Sequence, residues 1–411
     1  MKKFFALLLS LAMVLALVAC GQKETTTPDD TQTPDDTTPE VEYKIAMITD
    51  YGDITDQSFN QTTYEACKAF AEDNSIEFSY FKPAGDNTAD RVAMIEKAVD
   101  EGFNVIVMPG YAFGGAIVEA APEFPDVKFI ALDVAAGDLL ETAVAKAGES
   151  YDYTPENWDL NKYVDMSNVY CAVYQEELCG YMAGYAAVKL GYKNLGFLGG
   201  MSVPAVVRYG YGFVQGVDAA AADLGLTDVK LNYIYGGQFF GDADITAVMD
   251  TWYQGGTEVV FACGGGIYTS AVDAAKKVNA KVIGVDVDQA GVIAKYAGVD
   301  GMTVTSAMKG LYPATYDTLT DVIVNGNWDK YVGKIATLGL VSGTDPEANY
   351  VQIPMGDGTQ WSDSFTQDDY KAMVKDMFDG KITVSNNTSS DVSAADFATV
   401  ITVDDQGSIK G

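Results

Sequence analysis

Several acidic side chains come directly after predicted apolar strands, in positions from which they could bind hydroxyl groups. Asp50, Asp133 and Asp286 each follow such a strand, and Lys309 comes after another. Carboxylate oxygens accept hydrogen bonds, and a pair of them suits the two hydroxyls of a vicinal diol. A single aspartate at a strand end is as often a helix cap, but several at one edge of a sheet favour a polar ligand.

Aromatic side chains lie near the same strand-end loops, at Phe59, Tyr209, Phe239 and Phe240. Two facing rings can clamp a flat heterocycle, and stacking of a base on a ring contributes about 1–3 kcal/mol. The alternative is that these rings pack between two lobes. Three successive glycines, 264–266, would let the backbone come close to a ligand or to a facing lobe. Rings and diol-binding carboxylates in one cleft predict a nucleoside better than a bare sugar.

The composition argues against several other classes of function. The 411-residue chain has no histidine, which removes the usual Ser–His and Cys–His nucleophile pairs and the commonest zinc ligand. We therefore predict no catalytic residue, no cofactor and no metal site. A formal net charge of -32 argues against nucleic acid as a partner, because binding would require a basic surface.

The clustered aspartates and the cysteines allow more than one interpretation. Asp50, Asp53 and Asp56 are closely spaced and could bind calcium or activate water, which would suit an extracellular hydrolase such as a nucleosidase. The lack of a histidine base disfavours that reading. The cysteines after residue 20 lie far apart or in apolar contexts, so we expect buried thiols without disulfides: Cys67, Cys171, Cys179 and Cys263.

The elements that would position these residues alternate between short apolar strands and amphipathic helices. Strands are predicted near 44–49, 76–81, 105–108 and 128–132, with helices between them, and the series resumes after residue 176. Fully apolar strands alternating with helices indicate parallel sheets covered on both faces. The fold class is therefore α/β, with two doubly wound parallel-sheet lobes joined by a hinge. Ligands of such sheets bind beyond the carboxyl ends of the strands.

The N-terminal residues predict export and anchoring. Residues 1–19 have two lysines followed by an apolar run, which is typical of a secretory signal peptide. The sequence Leu-Val-Ala-Cys that ends at Cys20 resembles a bacterial lipobox, in which the cysteine is lipidated. Residues 20–42 repeat Thr-Pro-Asp-Asp and carry few apolar side chains, so we expect an extended tether. The predicted location is the extracytoplasmic face of the cell membrane.

The chain resembles the basic membrane protein family of bacterial lipoproteins, the nucleoside-binding components of ABC importers. The resemblance extends over about residues 43–341 and depends on the order and spacing of several segments. These segments are 50–61, 176–184, 196–201, 208–213, 284–289 and 305–310. The resemblance implies a fold like that of the type I periplasmic-binding proteins. It also implies that the protein is a monomer that delivers a nucleoside, most simply a purine nucleoside, to a membrane permease.

The resemblance also implies roles for individual residues. Asp50, Phe59 and Asn60 would contact the ligand from the first lobe, with Phe59 stacking on the base. Asp133 would meet the purine edge, and Asp56 would be either a ligand contact or a helix cap.

In the second lobe, Tyr209 stands where the family usually has phenylalanine. Phe240 would be the partner ring, although Phe239 could replace it. The resemblance implies that the ribose is held by Gly265, Asp286 and Lys309.

The predicted boundaries place residues 43–168 and 309–328 in the first lobe and 169–308 and 329–411, including a C-terminal extension, in the second. Crossovers near Ser167, Ala307 and Trp328 would then form the hinge. An insert at 134–167 could cap the cleft or only decorate one lobe. A sugar- or signal-binding protein without a transport role is the main alternative function.

Overall fold

The computed structural model describes residues 42–410, so the predicted signal peptide, Cys20 and nearly all of the predicted tether lie outside the described residues. The described strands are β1 Lys44–Ile48, β2 Glu77–Phe81, β3 Val105–Pro109, β4 Lys128–Leu132, β5 Val169–Tyr174, β6 Asn194–Gly199, β7 Lys230–Tyr235, β8 Val259–Cys263, β9 Lys281–Asp286, β10 Thr303–Lys309, β11 Lys334–Leu338, β12 Val351–Gln352 and β13 Thr402–Ser408. The α-helices are α1 Phe59–Asn74, α2 Thr88–Asp100, α3 Gly114–Ala120, α4 Ala136–Lys146, α5 Leu160–Tyr163, α6 Glu176–Lys189, α7 Pro204–Leu224, α8 Ala243–Gln254, α9 Tyr268–Val278, α10 Ala290–Ala297, α11 Leu311–Leu319 and α12 Gln367–Phe378.

The first sheet has the order β11-β5-β4-β3-β1-β2, and all its neighbouring strands are parallel. Its central strand β3 is buried along its whole length, and its apolar sequence Val-Ile-Val-Met-Pro suits a strand covered by helices on both faces. Helix α11 returns to this sheet and packs on α1, where the rings of Phe70 and Tyr316 meet at 5.6 Å. This sheet and its helices form lobe 1.

The second sheet has the order β12-β10-β9-β8-β6-β7-β13. Its strands pair in parallel, except that the two-residue β12 pairs antiparallel with β10. Both edge strands come from the chain after residue 344, so this segment extends the sheet at both sides. This sheet and its helices form lobe 2, and the parallel doubly wound prediction is confirmed for both sheets.

Two strands correct the predicted lobe boundaries. The sequence analysis assigned no strand to residues 169–174, but β5 pairs with β4 and so belongs to lobe 1. Strand β11 pairs with β5 at the edge of the same sheet, although residues 329–411 were expected in lobe 2. The apolar run of β5 stands directly before α6 without a turn signal, so the sequence does not separate strand from helix there.

The crossovers between lobes consequently lie at Gln175, Gly310 and Gly339, later than the predicted positions near Ser167, Ala307 and Trp328. The three segments contact one another. Gln175 N donates to Leu338 O at 2.9 Å, and Gly310 N donates to Tyr350 O at 2.6 Å. The Gln175 side chain packs directly on Gly339, where a Cβ atom would lie 1.7 Å from Gln175 Oε1 and would force that side chain to move. The three crossovers thus lie together in the region that joins the two lobes.

Helices α6 and α7 approach each other so closely that their backbones touch through glycines. A Cβ atom at Gly180 would lie 2.3 Å from Tyr209 O, and one at Gly212 would lie 2.1 Å from Glu177 O. Helix α7 begins at Pro204, and proline is well suited to the first helical turn. The helix pair thereby fixes the positions of Glu176, Arg208 and Tyr209 under the cleft.

The insert at 134–167 belongs to lobe 1. Its aromatic side chains contact one another, with ring centroids 5.2 Å apart for Tyr151 and Tyr153 and 5.7 Å apart for Tyr151 and Trp158. The insert also supplies α4, which packs on α3. The aromatic cluster is a decoration of lobe 1, whereas α4 contributes to the cleft described below.

Candidate functional site

A cavity of about 470 Å³ lies between the carboxyl ends of the two sheets. Its position follows the rule for parallel sheets, in which ligands bind beyond the strand ends. All ten residues that the sequence analysis proposed as ligand contacts line this cavity: Asp50, Asp56, Phe59, Asn60, Asp133, Tyr209, Phe240, Gly265, Asp286 and Lys309. The fold therefore brings them together, although they are spread over 260 positions of the chain.

On the side of lobe 1, Asp50 shapes the loop that follows β1. Its Oδ1 accepts hydrogen bonds from Tyr51 N at 2.6 Å and Gly52 N at 2.7 Å, and Asn60 Nδ2 donates to it at 3.2 Å. The side-chain Oδ1 of Asn60 is buried and has no hydrogen-bond partner among the described residues. This oxygen is therefore an acceptor whose hydrogen-bonding capacity is unused in this structure.

Asp56 acts as the cap of α1 in this structure. Its two oxygens accept from the amides of Ser58 at 2.9 Å, Asn60 at 2.9 Å and Gln61 at 3.1 Å. Burial raises the pKa of Asp56, and these amide bonds oppose the rise. Of the two roles left open by the sequence, the geometry favours the cap.

Asp286 ends β9 in a left-handed conformation, with φ of 64°. Tyr209 Oη donates to its Oδ1 at 3.1 Å, and Ser58 Oγ of lobe 1 donates to its Oδ2. The carboxylate is 6% exposed. Asp286 is thus held between the two lobes by a hydroxyl group from each.

Lys309 is the last residue of β10 and lies at the centre of a buried group of charges. Its Nζ is 2.6 Å from Asp133 Oδ2 and 3.0 Å from Glu176 Oε1. Arg208 Nε lies 2.6 Å from Glu176 Oε2. Lys309 is 4% exposed and Glu176 is fully buried. Because Asp133 is in lobe 1 and Glu176 begins the first helix of lobe 2, Lys309 links the lobes electrostatically.

These contacts set the protonation of the buried groups. Burial alone would lower the pKa of Lys309, but Asp133, Glu176 and Asp286 outweigh it and raise the pKa above its ordinary value. Burial raises the pKa of Asp133 to about 6, against the opposing effect of Lys309. Burial likewise works to raise the pKa of Glu176, but Arg208 and Lys309 hold it below its ordinary value. At neutral pH the group keeps its charges paired.

Asp133 also has an oxygen left over for a ligand. Its Oδ1 is buried and has no hydrogen-bond partner within residues 42–410, while Oδ2 is held by Lys309. A buried carboxylate oxygen without a donor is costly, and a ligand donor would relieve that cost. Asp133 Oδ1 and Asn60 Oδ1 are thus two buried acceptors without a donor, both on residues of lobe 1 that line the cavity.

The aromatic residues differ in how much of each ring is free. Phe240 is 55% exposed at the cavity, and Tyr209 is only 2% exposed. Phe239 packs its ring onto the glycine backbone, since a Cβ atom at Gly264 would lie 2.7 Å from Phe239 Cδ1. Gly265, with φ of +49°, turns the chain beside it. Phe240 therefore has the ring face that a ligand could cover, and Phe239 serves mainly to pack the loop.

The structure also shows residues at or beside the cavity that the sequence analysis did not identify, and of these Tyr51, Tyr111 and Arg208 line it. Ser58 lies in the recognised 50–61 segment, but its contact with Asp286 spans 228 positions and no local signal marks it. Glu176 and Arg208 also lie in recognised segments, and their pairing depends on the α6–α7 packing. Tyr51 Oη and Tyr111 Oη of lobe 1 lie 4.0 and 3.8 Å from Met201 Sδ of lobe 2.

A further unpredicted residue is Asp138, which reaches the cavity from α4. Burial raises its pKa from 3.8 to about 7, while a hydrogen bond from Ala135 N opposes the rise. The native state then binds more protons than the unfolded chain between these values. The contribution of Asp138 to stability is therefore full below pH 4 and is lost as the pH rises through 7.

Replacing Asp138 by asparagine is expected to remove the loss of stability that accompanies ionisation of Asp138 at high pH. Asp138→Asn keeps an acceptor for Ala135 N but cannot ionise, so it should be more stable than the native protein at pH 8 by roughly 1–2 kcal/mol. The difference should shrink towards pH 4. Denaturant unfolding at pH 4, 6 and 8 measures it. Asp100→Asn, at an exposed position at the end of α2, is the control, and parallel profiles for native protein and Asp138→Asn would contradict the prediction.

The acidic cluster considered for calcium or hydrolysis does not converge on one point. Asp53 pairs with Lys82 at 2.6 Å, and Asp56 is occupied as a cap. Within the described part of the chain, no group of three or more His, Cys, Asp or Glu side chains could hold a metal ion. The prediction of buried free thiols is confirmed for Cys67, Cys171, Cys179 and Cys263. Among residues 42–410, no helix combines the length and apolar character needed to cross a membrane.

Comparison with known proteins extends these observations. Residues 43–346 match the model of the Bmp family, described as ABC transporter substrate-binding protein PnrA-like. The ABC transporter nucleoside-binding protein BmpA of Lactococcus lactis subsp. cremoris is 25% identical over 84% of this chain and 90% of its own length. Basic membrane protein B of Borreliella burgdorferi is 26% identical over 75% of this chain and 83% of its own.

Solved structures show the same fold at low identity. An ABC transporter solute-binding protein from Conexibacter woesei superimposes with a TM-score of 0.60 at 20% identity, covering 84% of this chain and 99% of the other. One from Aeropyrum pernix gives 0.59 at 19% identity, covering 84% and 88%. The expected fold class is thereby confirmed. Because the family match covers most of the chain and every residue that lines the cavity, the chain belongs to the Bmp family of PnrA-like ABC transporter substrate-binding proteins.

Proposed function

We propose that this substrate-binding protein takes up a nucleoside, most simply a purine nucleoside, in the cavity between its lobes. The observation that carries the proposal is the meeting of an exposed aromatic face, Phe240, with a hydroxyl-binding carboxylate, Asp286, in one cavity of about 470 Å³. That volume is within the range of small-molecule sites. The name of the relative from Lactococcus, a nucleoside-binding protein, supports the same class.

The base would lie between Phe59 and Phe240. Phe59 begins α1 in lobe 1 and its ring lies 5.0 Å from Lys309 Nζ, whereas Phe240 extends from the loop after β7 in lobe 2. A base held between them would use stacking that only the closed state provides. The acceptors Asp133 Oδ1 and Asn60 Oδ1 are available for N–H groups at the edge of the base, and Asp50 orients Asn60.

The sugar would lie toward Asp286, Gly265 and Lys309. Asp286 accepts hydroxyl donors already in this structure, which supports its use for ribose hydroxyls. Lys309 is paired with Asp133 and Glu176, so it would act on the ligand through a shared hydrogen bond or by orienting Asp133. Asp56 would contribute by fixing the loop and the start of α1.

Transport would depend on the ligand's higher affinity for the closed than for the open arrangement of the two lobes. A ligand that contacts both lobes favours closure, and a permease in the membrane could recognise the closed surface. The family assignment implies a membrane permease as partner. We further propose cleavage of residues 1–19, lipidation at Cys20 and action as a monomer on the extracytoplasmic face of the cell membrane, without a resident cofactor or catalytic activity.

Calorimetric titration of the full chain in detergent with nucleosides, free bases and ribose tests the proposal. We expect one nucleoside to bind with at least about a hundredfold advantage over its separate base and sugar, because only the joined ligand spans both lobes. Ribose binding as tightly as any nucleoside would favour the sugar-binding alternative. Release of free base during incubation would instead point to hydrolysis.

Phe240→Ala is expected to weaken nucleoside binding about 10- to 100-fold, because stacking on one ring contributes about 1–3 kcal/mol. Titration of the variant against the native protein measures the change. Phe378→Ala is a matched control, since Phe378 is 50% exposed at the end of α12 and does not line the cavity. Equal affinity for Phe240→Ala and native protein would exclude Phe240 as a stacking ring.

A further inference from the structure

Asp286 already receives two hydroxyl groups from the protein. Tyr209 Oη donates to Oδ1 at 3.1 Å, and Ser58 Oγ donates to Oδ2. All three residues are buried, with exposed fractions of 2% for Tyr209, 0% for Ser58 and 6% for Asp286. Each carboxylate oxygen therefore has one donor that the protein itself supplies.

This arrangement changes what a missing ligand hydroxyl would cost. A site discriminates strongly against a ligand that lacks a hydroxyl when the loss leaves a buried polar group unpaired. Asp286 would not be left unpaired, because Tyr209 and Ser58 would remain on its two oxygens. A carboxylate oxygen has two lone pairs, so a ligand hydroxyl can still bind beside each protein donor.

We propose that the cavity accepts 2′- and 3′-deoxyribonucleosides nearly as well as ribonucleosides, with Tyr209 as the residue that confers this tolerance. The inference rests on the proposed nucleoside function and narrows its substrate class. A ligand hydroxyl on an already satisfied carboxylate adds only a net hydrogen bond, which corresponds to a preference for the ribonucleoside of less than about tenfold.

Tyr209 and Ser58 contribute differently to this tolerance. Tyr209 is in lobe 2 with Asp286, so its hydrogen bond can persist whether the lobes are open or closed. Ser58 is in lobe 1 and reaches Asp286 only when the lobes come together. Tyr209 is therefore the group that keeps Asp286 satisfied before closure, and Tyr209→Phe removes that hydroxyl while retaining the ring.

The test is calorimetric titration of the full chain with inosine, guanosine and adenosine and with the 2′- and 3′-deoxy forms of each nucleoside that binds. For native protein, the deoxy forms should bind within about tenfold of the parent nucleoside. For Tyr209→Phe, the ratio of ribonucleoside to deoxynucleoside affinity should widen by about tenfold or more for at least one deoxy form. Tyr233→Phe is the matched control, since the buried hydroxyl of Tyr233 pairs with that of Tyr235 at 2.8 Å and neither residue lines the cavity. The ratio of ribonucleoside to deoxynucleoside affinity of this variant should equal that of native protein.

The outcomes separate this inference from the proposed function. If a ribonucleoside binds native protein but either deoxy form loses more than about a hundredfold, the tolerance is refuted while nucleoside binding stands. If Tyr209→Phe leaves both ratios unchanged, Tyr209 is not the residue responsible. If no ribonucleoside or deoxynucleoside binds, both proposals fail. Far-ultraviolet circular dichroism of each variant confirms that the fold is retained before its ratios are compared.

Discussion

Lys309→Met is expected to destabilise the protein by about 3–5 kcal/mol at pH 8, because it removes one partner from a buried group of charges. Lys309 Nζ lies 2.6 Å from Asp133 Oδ2 and 3.0 Å from Glu176 Oε1, and methionine keeps only the apolar stem. Asp133 and Glu176 would then both remain as buried carboxylates, with Arg208 still paired to Glu176.

The pH dependence of this effect has a definite sign. Lys309 lowers the pKa of both carboxyl groups, so its removal should raise both values. A raised native pKa means that protonation relieves the instability, and the destabilisation should therefore be smaller at pH 5 than at pH 8. Denaturant unfolding of native and variant protein at the two pH values measures both quantities.

Lys277→Met is the control for loss of a lysine from an ion pair. Lys277 pairs with Asp250 at 2.7 Å, but its side chain is 53% exposed, so the change should cost less than about 1 kcal/mol. A cost for Lys309→Met no larger than that of the control at pH 8 would show that the buried group tolerates an unpaired charge.

Asp286→Ala is expected to reduce nucleoside affinity by about a hundredfold or more. The substitution removes the acceptor proposed for the ribose and also leaves the hydroxyls of Tyr209 and Ser58 without their buried partner. Unpaired buried donors are costly, and the bridge from lobe 1 to lobe 2 through Ser58 is lost with them. Loss of the ribose acceptor and of the Ser58 bridge weakens the closed state in which the ligand contacts both lobes.

Titration of Asp286→Ala with the nucleoside that binds native protein most tightly measures the loss. Asp300→Ala provides a control with the same side-chain change, at an exposed position that does not line the cavity. Affinity within about threefold of native would remove Asp286 from the site. A comparable loss in Asp300→Ala would instead point to an effect of overall charge.

The sequence by itself determined the fold class and the edge of each sheet at which the cavity would form. Continuous apolar strands such as β3 can only be buried on both faces, and their alternation with helices requires parallel pairing. The carboxyl ends of parallel strands then share one edge of each sheet, which is why the sequence alone was enough to place Asp50 and Asp133 at the edge of one sheet and Asp286 and Lys309 at the edge of the other.

Only the tertiary structure decided which lobe each crossover joins and which partners each site residue has. Strand β5 has no local mark that assigns it to lobe 1, because its partner β4 lies across an insert of more than thirty residues. The contacts of Asp286 with Ser58 and of Lys309 with Asp133 span 228 and 176 positions. A local pattern reports which side chains reach a sheet edge, but such pairings depend on how two separately folded sheets close on each other, and that depends on packing throughout both lobes.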